Sequence, residues 1–235
     1  MYFFRLKAFA ATASFRIPES HTFQQSLPLP PITTLIGLMG ATVGLCFEDA
    51  MRFRQEKGLR FGVIGSHQGE FKDLWKYRKI KAGKVISDVL LREYLTNLEI
   101  SLYVGSESND AIRQVRECFL SPYYALTAGN SDDLLKIKKI GEIRMANEIP
   151  LSQFANTVLP DDHSTDFDSA VDLKNTHITE TISAPQVYLL PTAFNFNGGE
   201  RRVSRREHFT FIGSPVDLKK PIPGIQINDE AVVLI

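Results

Sequence analysis

The sequence predicts an α+β chain built on a strand–helix–strand–strand–helix–strand core, the ferredoxin-like arrangement shared by RNA-recognition modules. Three observations predict it. Residues 2–11 and 94–104 alternate apolar and polar side chains with the period of half-buried strands. Residues 27–44, L-P-L-P-P-I-T-T-L-I-G-L-M-G-A-T-V-G, pass from stiff, extended prolines into a glycine-rich apolar helix. Ala111, Ile112, Val115, Cys118 and Phe119 recur at helical spacing, with Pro122 just beyond their end.

In the first strand, Tyr2, Phe4, Leu6, Ala8 and Ala10 form the core face. Phe3, Arg5, Lys7 and Phe9 form the other, which suits either stacking on bases or an ordinary solvated surface. Residues 12–20 read as a loop in which Phe15 and Arg16 make a stack-and-clamp pair, since a planar guanidinium binds phosphate or lies flat against a base. Past the prolines, Thr33 or Thr34 is placed to cap the helix. Gly37, Gly40, Ala41 and Gly44 put small residues on adjoining faces. Two readings stay open: a buried helix in close contact with another backbone, or a helix N-terminus whose free N–H groups and hydroxyls face an anion such as phosphate. Residues 48–57 read as a short charged helix stopped by Gly58, and 59–64 as the second strand.

Residues 69–84, G-E-F-K-D-L-W-K-Y-R-K-I-K-A-G-K, carry six positive charges against two negative, with Trp75, the sole tryptophan, beside Tyr77. Charge for the backbone and flat rings for bases are what single-stranded RNA requires; a solvated hairpin anchored by a tryptophan is the other reading. Ser108 or Asn109 caps the second long helix. Residues 123–126 are expected to be extended, 127–131 (T-A-G-N-S) to form a tight polar turn with free N–H groups, and 135–143 a strand. The acidic stretch 161–172 lacks the glycine and glutamate an EF-hand needs at its sixth and twelfth positions, and reads as a mobile surface loop. Residues 185–196 and 202–212 read as strands joined by Asn197-Gly198-Gly199, with Arg201, Arg202, Arg205 and Arg206 a compact phosphate-binding candidate. Residues 230–235 are expected to form a terminal strand tucked into a sheet.

At 235 residues the chain has room for one large domain or two small ones, and 27 Lys+Arg balance 27 Asp+Glu. No bulk positive field is present, so a nucleic-acid partner must be met by local patches. The first residues lack the order of a signal peptide. The longest apolar run, 32–47, falls short of the ~18 residues of a spanning helix. A soluble, cytoplasmic protein with no membrane partner is therefore expected. Cys46 and Cys118 have no C-x-x-C or histidine spacing around them; two buried thiols are expected, with neither metal nor cofactor.

Three segments, A-S-F-R-I-P at 13–18, P-L-P-P-I-T-T-L-I-G-L-M-G-A at 28–41 and A-G-N-S-D-D-L-L at 128–135, resemble CRISPR-associated (Cas) protein family 5, the subunit at the crRNA 5′ end of type I Cascade complexes. The likeness is good over 1–145 and looser afterwards, and is nearest to subtype I-B or a close relative, transposon-borne versions included. It implies an RNA-recognition-like (RAMP) domain over 1–145 with a β-hairpin thumb at about 66–92, then a β-rich extension over 146–235. It further implies a non-catalytic, crRNA-binding role in antiviral defence, gripping the 5′ handle and docking on the backbone subunit and the large subunit for DNA targeting. On this resemblance Ser14, Phe15, Arg16, Thr33, Thr34, Asn130 and Ser131 line the handle, and the thumb supplies Trp75, Lys76, Arg78 and Lys79. Arg144, Arg201, Arg202, Arg205 and Arg206 are added on charge alone.

Two rival readings remain. Subtype I-C members of that family cut repeat RNA without metal, and Tyr77 with Lys79, His67, or His208 beside Arg205 and Arg206 are candidates, although no pair has a spacing that forces a site. A protein scaffold without RNA contact fits the zero net charge and is opposed by the clustered arginines.

Overall fold

Alternation in the first residues buries Phe4, Leu6, Ala8 and Ala10 on one face of β1 (Tyr2–Ala13), as expected. The computed structural model describes residues 1–20, 23–81, 83–171 and 182–235. After β1 the short strands β2 (Phe15–Arg16), β3 (Phe23–Gln24) and β4 (Ser26–Leu27) return the chain to the prolines, β2 pairing with β4. Helices α1 (Ile32–Val43) and α2 (Phe47–Glu56) follow. Neither threonine caps α1. Pro31, at φ −70° and ψ 165°, takes that position, and its carbonyl accepts the N–H of Thr34 (2.9 Å) and Leu35 (3.1 Å). The ring sets φ without help from a hydroxyl, so Thr33 and Thr34 move into the first turn. Gly40 makes the close approach between the two helices: a Cβ there would lie 2.7 Å from the Cβ of Ala50. Cys46, which precedes α2, is exposed and Cys118 is half-buried, so the expected pair of buried thiols is not found.

The chain then runs through β5 (Arg60–Ser66), β6 (Gly69–Lys81) and β7 (Lys84–Ser106). β5 and β6 follow one another along β7 in one register, from Arg60 opposite Gly105 to Lys81 opposite Lys84. The expected hairpin is thus the free half of one long ribbon, its 13-residue β6 extending roughly 40 Å. Ala82, in its turn, lies outside the described residues. Ser108 caps α3 (Asn109–Leu120), its hydroxyl accepting the N–H of Ala111 (3.2 Å). Tyr123 and Tyr124, expected to be extended, are bends, and an isolated bridge pairs Thr127 with Leu134. β8 (Lys136–Ile140) and β9 (Arg144–Met145) then pair with β1.

The rest is strand: β10 (Ile149–Phe154), β11 (Thr157–Pro160), β12 (Phe167–Ser169), β13 (Gln186–Asn197), β14 (Glu200–Ile212), β15 (Val216–Ile227) and β16 (Glu230–Val232). Gly198 and Gly199, both at positive φ, form the two-residue turn between β13 and β14. The acidic stretch 161–172 is more structured than a surface loop: β12 pairs with β15, and His163 is buried. Asp172 lies outside the described residues.

The fold is mixed, with three helices among the described residues and mostly antiparallel sheet. The main sheet has the order β13-β14-β11-β5-β7-β1-β8. Side chains of β1 and β7 (Phe4, Leu6, Ile100, Leu102) pack against Leu35 and Ile36 of α1 and Ile112, Val115 and Phe119 of α3. A smaller sheet, β10-β15-β12, joins at the C-terminal side with β16. This side covers the start of β1. Phe3, expected on a solvated or base-stacking face, is buried with Tyr103 beneath Ile225, Val232 and Leu234. Ile235 exchanges two backbone hydrogen bonds with Phe61, each 2.9 Å. Among the described residues no single helix is long and apolar enough to cross a membrane.

Candidate nucleic-acid interface

The step from β1 into β2 turns two side chains inward. Ser14 donates its hydroxyl to the carbonyl of Glu93 (2.8 Å) and its N–H to that of Ala128 (3.0 Å). Phe15 is 3 % exposed and belongs to the core. β2 pairs with β4 here and leaves Arg16 exposed. Arg16 borders a groove of about 610 Å³. Ser14 and Phe15 line the same groove, as expected of them, but the packed Phe15 ring has no free face for a base, which corrects the stacking half of the expected pair.

Two backbone features reach the same groove. The first turn of α1 brings Thr33 and Thr34, and the turn after α3 brings Gly129 and Asn130. Gly129 sits at φ +102°, and a Cβ there would fall 1.9 Å from the carbonyl oxygen of Ser14. Asn130 donates its amide to Asp133 (2.9 Å), a buried carboxylate that also accepts the hydroxyl of Thr12. Ser131 is exposed beside this turn and does not line the groove.

The far wall comes from the C-terminal half. Arg201 of β14 lies over the rings of Phe47 (4.9 Å) and Phe194 (5.0 Å), and Arg206 pairs with Glu19 (2.8 Å). A shift of register between Val203 and Arg205 interrupts the strand's alternation, so the four arginines divide across it. Arg201 and Arg206 line the groove, while Arg202 and Arg205 pair with Glu200 (2.8 Å) and Glu207 (3.1 Å). Arg144 is remote. It stands on β9 opposite Phe3, about 35 Å along β1 from Ser14.

The hairpin set divides in the same way. Trp75 and Tyr77 stack at 5.8 Å on the face that also carries Lys79, whereas Lys76 and Arg78 point from the other face. Lys79 and Tyr77 both bond to Asp88, and that hydrogen bond holds the Lys79 ammonium above the usual lysine range and the Asp88 carboxyl below the usual carboxylate range. The hairpin meets the groove through a residue the sequence reading missed. Arg92 lies 4.2 Å over the Trp75 ring, donates Nε–H to Gln24 (2.9 Å) and lines the groove. A signal for it existed: the pairing of Lys81 with Lys84 places Arg92 diagonally across from Trp75.

Hairpin root and arginine strand therefore share one groove. Arg16, Arg92, Arg201 and Arg206 line it, Arg206 paired to Glu19 from outside the lining, and among the described residues no carboxylate does. Helix dipole, unpaired first-turn N–H groups and guanidinium ions all favour an anion there, and Phe47 and Phe194 add ring surface. No group of three His, Cys, Asp or Glu suited to a metal occurs among the described residues.

Comparisons with known proteins follow the same line. A chain from a structure titled CRISPR RNA-guided surveillance complex shares the fold at TM-score 0.57 and 16% identity, covering 94% of this chain and 91% of that one. A CRISPR protein from Archaeoglobus fulgidus matches at TM-score 0.52 and 9% identity, over 99% of this chain and 98% of the other. No curated protein sequence matches. The profile of the family described as CRISPR-associated protein (Cas_Cas5) matches residues 3–180, and the chain belongs to that family.

Proposed function

We propose that this protein is a non-catalytic subunit of a type I CRISPR RNA-guided complex and holds the 5′ handle of the guide RNA in the arginine groove. The observation that carries the proposal is the charge of that groove: four arginines and no carboxylate among its described lining residues, in a chain with no net charge. The handle's backbone is paired with Arg16, Arg92, Arg201 and Arg206, while Thr33, Thr34 and Asn130 supply hydroxyl, amide and backbone donors. Trp75 and Tyr77, beside Arg92, serve as the stacking platform of a thumb.

A ferredoxin-like, RNA-recognition core over 1–145 is supported by the strand order β5-β7-β1-β8 and by α1 and α3 packing on one face. The extension 146–235 completes the groove through Phe194, Arg201 and Arg206. In this reading the subunit works in the cytoplasm, joins the backbone subunit to the large subunit, and meets target DNA through the complex. The non-catalytic reading draws support from the cleavage candidates: His67 and His208 lie outside the groove lining, and Tyr77 and Lys79 are both tied to Asp88.

Filter binding to handle RNA from the repeat of its own locus, across a salt series in EDTA, tests the proposal. Four phosphate contacts on a single strand predict log affinity falling against log salt with a slope of about −3, and intact RNA throughout. A single-site cut would contradict the non-catalytic role, and absence of binding at every salt concentration would leave only a scaffold.

A further inference from the structure

A second cationic cleft lies at the other end of β1 and shares no lining residue with the groove. Lys7 of β1 stands directly opposite Lys139 of β8, both exposed, and Arg144 of β9 adds a third positive charge to a cavity of about 160 Å³. Like charges directly opposite one another destabilise an antiparallel pair, so an anion between them relieves a cost the bare sheet carries. The nearby carboxylates are already engaged. Glu142 pairs with Arg116 (3.0 Å), and Glu230 pairs with Arg5 and accepts the hydroxyl of Tyr103 (2.5 Å). Lys7, Lys139 and Arg144 are left without an ion-pair partner among the described residues.

We infer that this cleft binds the phosphodiester backbone of a nucleic-acid strand, at a site separate from the handle groove. Lysines on a sheet edge commonly serve to prevent edge-to-edge aggregation. That accounts for the lysines of β8, the edge strand, but not for Lys7, because β1 lies inside the sheet between β7 and β8. The spacing favours a chain of phosphates over a single small anion. Arg144 opposite Phe3 and Lys139 opposite Lys7 are four residues apart along β1, about 13 Å. Lys136, opposite Phe9, and Lys138, 4.8 Å over the Phe9 ring, continue the positive track along β8. The one aromatic ring in the lining, Phe3, is buried, so the cleft reads backbone and not base identity. The source is the guide or the target, which share this chemistry.

The test uses the full chain carrying Arg16→Glu and Arg201→Glu, which disables the groove, titrated at low salt with three mixed-sequence probes: single-stranded RNA, single-stranded DNA and a DNA duplex. At least one probe is expected to bind, and that probe names the source. Adding Lys7→Gln, Lys139→Gln and Arg144→Gln should then weaken binding at least tenfold and flatten the salt slope by about 2 for a single strand. The thermal midpoint should stay level or rise, because the opposed lysines no longer repel. If no probe binds the folded groove variant, or the three glutamines leave binding and slope unchanged, the inference is overturned. Lys139→Glu alone in the groove variant, where it can pair with Lys7, is a second arm with the same direction of loss should the multiple variant not fold. Failure of the handle reading shows separately, as a groove variant that binds handle RNA like the native protein.

Discussion

Replacing Arg16, Arg92 and Arg201 together by glutamate is expected to weaken handle-RNA binding by about a thousand-fold or more. Hydrogen bonds to charged groups contribute about 1.5–3 kcal/mol each, so losing three removes at least about 4 kcal/mol before the new repulsion is counted. The salt slope should fall by about 2, to near −1, because single-strand binding loses roughly 0.7 per phosphate contact. The fold should survive. Arg16 and Arg201 are exposed, and Arg92 and Arg201 otherwise contact Gln24 and the faces of Trp75, Phe47 and Phe194. Cation–π contacts at such sites contribute about 0.5–1 kcal/mol each, so the thermal midpoint should drop by only a few degrees. The matched control is Lys76→Glu with Arg78→Glu, on the hairpin face away from Trp75, where a smaller loss is expected. Filter binding and a melting curve on the same preparations check both, and the reverse ranking would place the RNA on the other hairpin face.

The second large effect concerns Gly129→Val. A side chain at φ +102° is strained by about 1–3 kcal/mol, and a Cβ placed 1.9 Å from the Ser14 carbonyl forces the backbone apart, at a further cost of about 1–3 kcal/mol. The hydrogen bond from Ser14 N–H to Ala128 is lost as the turn moves away, and Asn130 leaves the groove with it. A loss of about 4 kcal/mol corresponds to a fall of about 10 °C in the midpoint for a chain of this size, with handle binding weakened in the surviving folded fraction. Gly37→Ala is the internal control. A Cβ at Gly37 meets nothing within 4 Å, and alanine gains about 1 kcal/mol of helix propensity, so its midpoint should rise. Thermal and urea denaturation of the two variants settle the contrast.

Much of the architecture is legible in the sequence because it is written locally. The alternation of β1 and of the lower half of β7, the serine before α3, the Gly-Gly turn and the charged hairpin each declare themselves within a dozen residues. What escapes is decided by distant segments. Phe3 alternates as though solvated, yet residues more than 200 positions later cover it. Phe15 next to Arg16 reads as a recognition pair until β4 pairs with β2 and draws the ring into the core. Thr33 and Thr34 have capping chemistry, but Pro31 already supplies the geometry. The arginines of β14 look like one cluster and divide across a bulge that no local pattern announces, and Arg144 joins a different surface altogether. Arg92, the link between hairpin and groove, stands in no charged run and becomes visible only once the ribbon's register is known.

The central claim is that the guide's end lies in the groove between the hairpin root and β14. Photo-crosslinking of handle RNA carrying 4-thiouridine at successive positions, followed by peptide mapping, tests this most directly. The account predicts crosslinks to the segments around Arg16, Asn130, Arg92 and residues 194–206, with Trp75 reached by one internal position. Crosslinks confined to β8, β9 and the smaller sheet, with none in the groove, would contradict it.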